Sequence, residues 1–215
     1  MSLTLEARWH QLLTPLAPDA EVRRRGFRQL SDAYSQSGRH YHSLAHIRHM
    51  LETAEAYHAR LQDAVAVQLA IWFHDAVYSP MRSDNEARSA ELARQFLAQT
   101  SLAAPRRERV AFLIERTQDH TQRPPAADPD LHLLLDIDLQ ILGAPEADYW
   151  RYARQVRQEY SLVPDVLYRR GRQQVLSKFL DTPRIYQTEA FRQKLETAAR
   201  RNLRAELEAW QQDKF

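Results

Sequence analysis

The sequence contains no cysteine, and this absence removes several kinds of chemistry at once. Without thiols the chain has no disulfides, no thiolate zinc sites and no cysteine nucleophiles. Glycine is almost as scarce, with four residues in a chain of 215. So few glycines argue against a sheet-rich fold with many tight turns, and no GxGxxG or GxxxxGK[ST] loop for phosphate occurs. Because Ala, Leu, Arg, Gln and Glu recur throughout, we expect an all-α protein.

Long apolar runs are also missing from the sequence. No stretch approaches the roughly 18 consecutive apolar residues that a membrane span requires. The first residues do not combine a basic segment with an apolar run, so we expect no signal peptide and a cytoplasmic protein without membrane contact. The net charge of +2, from 30 basic and 28 acidic residues, gives no strong signal for nucleic-acid binding.

Hydrophobic periodicity and the positions of proline predict a series of helices within a single domain over residues 1–215. The predicted helices cover residues 3–14, 19–37, 41–61, 63–77, 86–99, 106–117, 131–142, 146–160, 165–180 and 187–212. The helix over 63–77 is the most apolar, and a helix that is apolar on most sides belongs in the core. Gly143 is expected to end the helix over 131–142 as the residue that follows its C-cap.

Histidines cluster near the start of the third predicted helix, at positions 40, 42, 46 and 49. If that helix begins near Tyr41, residues 42, 46 and 49 stand at i, i+4 and i+7, and their rings share one face. Imidazoles at this spacing suit a shared zinc, iron, manganese or nickel ion. A solvated helix face carries such histidines equally well, so the spacing alone leaves both interpretations open.

A second chemical element follows directly after the most apolar part of the chain. His74 and Asp75 come immediately after Ile71-Trp72-Phe73. Burying either group without a partner is costly, and an unpaired carboxylate is the more costly of the two. Either both side chains emerge into solvent before Pro80, or a divalent cation neutralises the carboxylate and binds the imidazole lone pair.

The third element is a pair of aspartates on the predicted helix over 131–142. Asp136 and Asp138 are two residues apart and point about 200° apart on a helix, so both cannot bind one ion. Asp138 has Leu or Ile at its neighbouring helical positions, whereas His132 and Gln140 flank Asp136. Asp138 is therefore expected to be the aspartate that lies in apolar surroundings and needs a strong partner.

In this order, the three elements resemble the HD superfamily of metal-dependent phosphohydrolases, whose signature is H…HD…D on separate helices. The segment YHSLAH over 41–46 is similar to the YHNxxH motif of the cyclic-nucleotide phosphodiesterase branch, and FHDAVYSP over 73–80 is similar to its HDxxHP motif. Tyr78 stands where that branch has a histidine. A group of predicted bacterial HD phosphohydrolases is similar over nearly all of residues 38–207, at RHYHSLAHI, WFHDAVY, NEARSA, DIDLQILG, VRQEY, GRQQVL and ARRNLRAEL.

The resemblance implies an HD-type helical bundle with its core over about 38–145 and additional C-terminal helices. It also implies a divalent metal ion (Mn, Fe, Ni, Co, Zn or Mg) bound by His46, His74, Asp75 and Asp138. Metal-activated water would hydrolyse a small phosphate ester or nucleotide, with Asp75 or Asp138 accepting the proton of water. His42 would protonate the leaving oxygen.

Four further residues are candidates for substrate binding or for contact with the metal ligands: His120, Asn85, Glu86 and Arg172. Each has an ordinary structural alternative, such as a helix-end histidine, a helix cap for Asn85, or a surface ion pair for Arg172. Two other functions are also compatible with the pattern. One is a non-catalytic module that binds a nucleotide or a protein partner, and the other is a di-iron oxygenase. The amphipathic final helix would allow packing within the chain or a homodimer.

Overall fold

The computed structural model describes residues 3–16, 19–122, 124–125, 128–212 and 215. The all-α prediction is confirmed: 73% of the described residues are helical, and none of them lies in a strand. The α-helices are α1 (Leu5–Leu13), α2 (Ala20–Tyr34), α3 (Leu44–Ala56), α4 (Ala64–Phe73), α5 (Asn85–Leu97), α6 (Ala104–Glu115), α7 (Pro129–Asp138), α8 (Glu146–Glu159), α9 (Asp165–Asp181) and α10 (Glu189–Gln211). Short 3₁₀ turns follow α1, α3, α6 and α7.

The chain divides into two compact units, Met1–Asp119 and His120–Phe215. The first unit contains α1–α6, and the second contains α7–α10. A single HD-type domain over 1–215 stays a prediction. In the described part of the chain, no helix combines the length and the apolar character needed to cross a membrane.

Helix α4 forms the centre of the first unit, as its apolar composition predicts. All its residues from Leu69 to Phe73 are buried, and α4 packs against α3, α5 and α6. The Asp63 side chain caps its N-terminus by accepting a hydrogen bond from the backbone of Ala66 at 2.9 Å. The helix ends at Phe73, earlier than the predicted residue 77, so His74 and Asp75 lie in the turn that follows it.

Helix α3 begins later than predicted, at Leu44 instead of near Tyr41. Ser43 precedes it with an extended backbone (φ −126°, ψ 178°), which breaks helical geometry before this point. The helix then ends at Ala56, and a 3₁₀ turn covers His58–Arg60. His42 therefore lies outside the helix, in the segment that leads into it.

In the second unit, α7 ends at Asp138 and continues as a 3₁₀ turn over Leu139–Gly143, which packs against α10. A Cβ atom at Gly143 would lie 2.6 Å from Leu195 Cβ and 2.9 Å from Leu195 O. The prediction that Gly143 serves as a helix-ending residue beyond the C-cap is therefore corrected. Its backbone does not adopt the left-handed conformation, and the glycine is needed because two segments approach closely here.

Candidate metal centre

Three of the predicted metal ligands come together in the first unit. His46 lies in the first turn of α3, His74 is the C-cap residue of α4, and Asp75 follows it. One ligand atom from each residue lies within 4.8 Å of the other two. The residues are 7%, 1% and 9% exposed, respectively. The alternative in which His74 and Asp75 emerge into solvent is therefore wrong.

The hydrogen bonding of His74 determines which ring nitrogen carries the lone pair. Its Nδ1 lies 2.9 Å from the carbonyl oxygen of Ile71. Because a carbonyl oxygen only accepts, Nδ1 must carry the proton, and the lone pair of the neutral ring is on Nε2. A backbone carbonyl in this role is typical of histidines that bind metals, since it fixes the tautomer and the ring orientation.

That lone pair is directed at another acceptor. His74 Nε2 lies 3.1 Å from Asp75 Oδ2. Two atoms that both carry lone pairs repel one another at this distance unless a proton or a cation binds between them or beside them. The pair is thus either an imidazolium–carboxylate ion pair or two ligands of one cation.

The residues of the cluster fit a divalent cation. Two imidazole nitrogens and one carboxylate oxygen form a donor set found around zinc and non-haem iron, and manganese, cobalt and nickel accept the same ligands. Three protein ligands also leave coordination positions for water and a substrate oxygen. The C-terminal end of α4, where His74 and Asp75 lie, carries partial negative charge that favours a cation. The group His46, His74 and Asp75 could therefore hold a metal ion.

His42 lies next to the ligand cluster, although it is not on helix α3 as predicted. The prediction that residues 42, 46 and 49 share one helical face is wrong, because α3 begins after His42 and because His49 is exposed. Nevertheless, His42 Nε2 lies 4.0 Å from Asp75 Oδ2, and its ring centroid lies 6.1 Å from that of His46. The predicted proton donor is thus adjacent to the ligand cluster.

Arg39, which sequence reasoning missed, binds the backbone on both sides of the cluster. Its guanidinium donates hydrogen bonds to the carbonyl oxygens of His42 (3.2 Å), Asp75 (2.7 Å) and Ala76 (3.2 Å). Two of these acceptors lie more than thirty residues after Arg39 in the sequence, and all three are backbone atoms, so no sequence motif marks them. The only available signal was its position at the start of the histidine-rich segment.

Asn85 supports the segment that follows the HD pair. Its Oδ1 accepts a hydrogen bond from the backbone nitrogen of Ser79 (3.1 Å), and its Nδ2 donates to the Ser79 carbonyl (2.9 Å). One turn later on α5, the Ser89 hydroxyl binds both backbone groups of Val77 in the same way, at 3.0 and 3.2 Å. Asn85 therefore holds the chain next to the cluster, whereas substrate contact by Asn85 or by the half-buried Glu86 stays a prediction.

In the second unit, Asp138 and His120 form a close pair. His120 Nε2 lies 2.9 Å from Asp138 Oδ2, and the two side chains are 14% and 13% exposed. Asp138 thus has a close partner in His120. Its role as a metal ligand, and that of His120 near the metal or substrate, stay predictions.

The prediction that Asp138 is the aspartate in apolar surroundings, and that Asp136 has the more polar flank, needs correction. Asp136 is the fully buried one of the two. Its carboxylate accepts hydrogen bonds from the backbone nitrogens of Gln187 (2.6 Å) and Thr188 (2.7 Å) and from the Thr188 hydroxyl (2.6 Å). Burial raises the pKa of Asp136 to about 6, although these donors act in the opposite direction. With three donors bound, the Asp136 carboxylate holds the backbone at the start of α10. Its exclusion from the metal site stays a prediction.

Arg172 forms an ion pair, but a buried one and not the surface pair that was the alternative to phosphate binding. Its Nε and one terminal nitrogen donate to the two carboxylate oxygens of Glu206 at 2.7 and 2.8 Å. Tyr149 and Trp210 also donate to Glu206, at 2.5 and 3.1 Å. Burial raises the pKa of Glu206, but the guanidinium and the other donors outweigh it and hold this pKa below its usual range. Phosphate binding by Arg172 stays a prediction.

Comparisons with known proteins do not assign the chain to a family: no family model, no curated protein and no solved structure matches it. The resemblance to the HD superfamily therefore rests on the ordered motifs, and the geometry of the cluster is an independent observation beside them.

Proposed function

We propose that this protein is a metal-dependent phosphohydrolase of the HD type. The observation that supports the proposal is the buried group of His46, His74 and Asp75, with His42 Nε2 4.0 Å from the Asp75 carboxylate. Such a cluster joins ligands for a divalent ion to an adjacent proton donor. Hydrolysis of a phosphate ester by activated water needs these two components and no nucleophilic side chain.

The roles of the residues follow from their chemistry. His46, His74 and Asp75 would hold the ion, and Asp138 is the proposed fourth ligand on the H…HD…D sequence pattern alone. A bound divalent ion would lower the pKa of water and withdraw electron density from phosphorus. The Asp75 carboxylate accepts the proton of the attacking water, and His42 donates a proton to the leaving oxygen.

The proposed substrate is a small phosphate ester, with a nucleotide as the first compound to test, and the proposed location is the cytoplasm. The donor set does not select one metal, because imidazole and carboxylate ligands are shared by manganese, iron, cobalt, nickel and zinc. One experiment that varies both the divalent ion and the phosphate compound is therefore needed to identify the metal and the substrate.

The test begins with metal quantification of the purified protein, followed by removal of metal and reloading with each divalent ion. Phosphate release is then measured over linear nucleotides, cyclic nucleotides and simple phosphate monoesters. We expect His74→Ala to lose the metal and the activity together. His42→Ala should keep the metal and lower kcat by about 10²–10⁴-fold, which is the usual contribution of a general acid.

His49→Ala is the matched control, because His49 lies on the same helix as His46 but is exposed. It should keep both metal and activity. The proposal is wrong if the protein binds no divalent ion, or if His74→Ala binds metal as the wild type does. Nucleotide binding without turnover under every metal would favour a binding module, and two irons per chain would favour an oxygenase.

A further inference from the structure

Arg39 lies between α2 and α3, directly after Gly38. Gly38 has a φ of +92°, a left-handed conformation that glycine adopts without strain and that reverses the chain at this point. From there the guanidinium of Arg39 reaches the carbonyl oxygens of His42, Asp75 and Ala76. The first acceptor belongs to the segment that leads into α3, and the other two belong to the turn after α4. One side chain thus joins the two segments that carry His42 and Asp75.

The same guanidinium lies over two aromatic rings. Its central carbon lies 5.2 Å from the ring centroid of Tyr34 and 5.1 Å from that of Tyr78. The ring of Tyr78 in turn packs on the ring of His42, with centroids 4.5 Å apart and an angle of 33° between the planes. A planar guanidinium suits this arrangement because it stacks on aromatic faces while its edge donates hydrogen bonds.

These contacts provide hydrogen-bond donors for backbone carbonyls at and just after the end of α4. The last carbonyl groups of a helix have no partner within it, and those that are buried must find donors elsewhere. The Tyr34 hydroxyl donates to the Trp72 carbonyl at 3.0 Å, and Arg39 serves the carbonyls of Asp75 and Ala76 in the turn beyond. Arg39→Ala would remove the charged donor that binds both of these carbonyls.

We infer that Arg39 is a positioning residue of the candidate metal centre, which fixes the turn carrying Asp75 against the segment carrying His42. The inference rests on the proposed function in one respect, namely that the cluster binds a divalent ion. The hydrogen bonds of Arg39 go to backbone carbonyl oxygens and not to the side chains of the candidate ligands. Its effect is transmitted through the backbone, which sets where the carboxylate of Asp75 stands relative to His74 and His42.

The measurement that tests this inference is the dissociation constant for Zn²⁺ and Co²⁺, obtained by competition with a chromophoric chelator on the full chain. Loss of a residue that orients metal ligands usually weakens metal binding by about 10–100-fold, and we expect this range for Arg39→Ala. Arg39→Lys should fall between the wild type and Arg39→Ala. A lysine retains the charge but lacks the planar fork that serves three carbonyls at once.

Arg106→Ala is the matched control for a general loss of stability. Arg106 binds Asp63, the N-cap of α4, with two hydrogen bonds of 2.8 and 2.6 Å. It therefore makes a comparable multiple contact at the opposite end of the same helix. Since distant sites act independently, Arg106→Ala should change the metal dissociation constant by no more than about twofold, whatever it does to the melting temperature.

Several outcomes would overturn the inference. Equal weakening in Arg39→Ala and Arg106→Ala would mean that only general stability is involved. Unchanged binding in Arg39→Ala would deny any role, and tighter binding would mean that repulsion between the guanidinium and the cation dominates. If Arg39→Ala does not fold, the comparison of Arg39→Lys with Arg106→Lys decides by the same criteria.

His74→Ala separates this inference from the proposed function. If His74→Ala binds Zn²⁺ and Co²⁺ as the wild type does, the candidate metal centre itself is wrong. If His74→Ala loses the metal while Arg39→Ala binds it normally, the centre stands and the role of Arg39 is refuted.

Discussion

Thermal unfolding in the presence of a divalent ion offers a direct measure of the candidate metal centre. His74 is the most deeply buried of the three ligands, and its Nε2 lies 3.1 Å from the carboxylate of Asp75. An ion that binds this site in the folded chain alone stabilises the fold by RT ln(1 + [M]/Kd). At an ion concentration of 100 times Kd, this amounts to about 2.7 kcal/mol.

The free energy converts to a shift in melting temperature. For a chain of this size, 1 kcal/mol corresponds to roughly 2–4 °C, so the wild type should gain about 5–11 °C on saturation with the preferred ion. His74→Ala removes one ligand, and an affinity only 100-fold weaker would leave about 0.4 kcal/mol, or roughly 1–2 °C, at the same ion concentration. The metal-dependent shift should thus nearly vanish in this variant.

Each variant is compared with itself in the presence and absence of the ion, by differential scanning calorimetry. The cost of removing the His74 side chain from a buried site therefore does not enter the comparison. His49→Ala should show the full shift, because His49 is exposed on the same helix as His46. The candidate metal centre is wrong if His74→Ala keeps more than half of the wild-type shift, or if no divalent ion shifts the melting temperature of the wild type.

Three further predictions concern the second unit and are checked by urea unfolding followed by circular dichroism. Glu206→Gln should lower the free energy of unfolding by about 3–5 kcal/mol, because it leaves the buried guanidinium of Arg172 without its opposite charge; a loss below 1 kcal/mol would contradict this. Gly143→Ala should cost about 1–3 kcal/mol, because the new Cβ would lie 2.6 Å from Leu195 Cβ, and an unchanged midpoint would contradict it. The folded-state pKa of Asp136, about 6, lies above its unfolded value of 3.8, so this carboxyl stabilises the fold at low pH and loses that contribution as pH rises through 6. Relative to Asp136→Asn, the wild type should therefore lose up to about 3 kcal/mol between pH 4 and pH 7, and a constant difference would refute the assignment.

The sequence alone was sufficient to predict the helical class and the position of His74 and Asp75 at the end of a buried helix. Both depend on local composition. Scarce glycine and helical periodicity are properties of neighbouring residues, and so is the run of apolar residues that places His74 and Asp75 at the end of a buried helix. The structure confirms the helices and finds both residues buried.

The position of His42 shows where local reasoning stops. Helical spacing predicted one face for residues 42, 46 and 49, but the extended backbone of Ser43 delays the helix to Leu44. The first turn of a helix is decided by a small difference in free energy between backbone conformations, and hydrophobic periodicity does not resolve it. His42 nevertheless reaches the Asp75 carboxylate, through the fold of the segment before α3.

The contrast between Asp136 and Asp138 has a different origin. The neighbours of each aspartate on its own helix made Asp138 look the more buried of the two. Burial of Asp136 instead comes from residues 187–188 at the start of α10, some fifty positions later in the chain. No pattern within one helix contains that information.

What the sequence by itself determined is therefore the set of elements and the chemistry that each carries: helices, a histidine-rich segment, the HD pair and an aspartate on an apolar helix. Only the tertiary structure decided which of these residues meet, and which are used for support instead. Arg39 is the clearest case, because its partners are backbone carbonyls of two separate segments. Every residue has a backbone carbonyl, so nothing in the amino-acid letters marks the ones that need a donor. That need arises when the chain folds and removes those carbonyls from water.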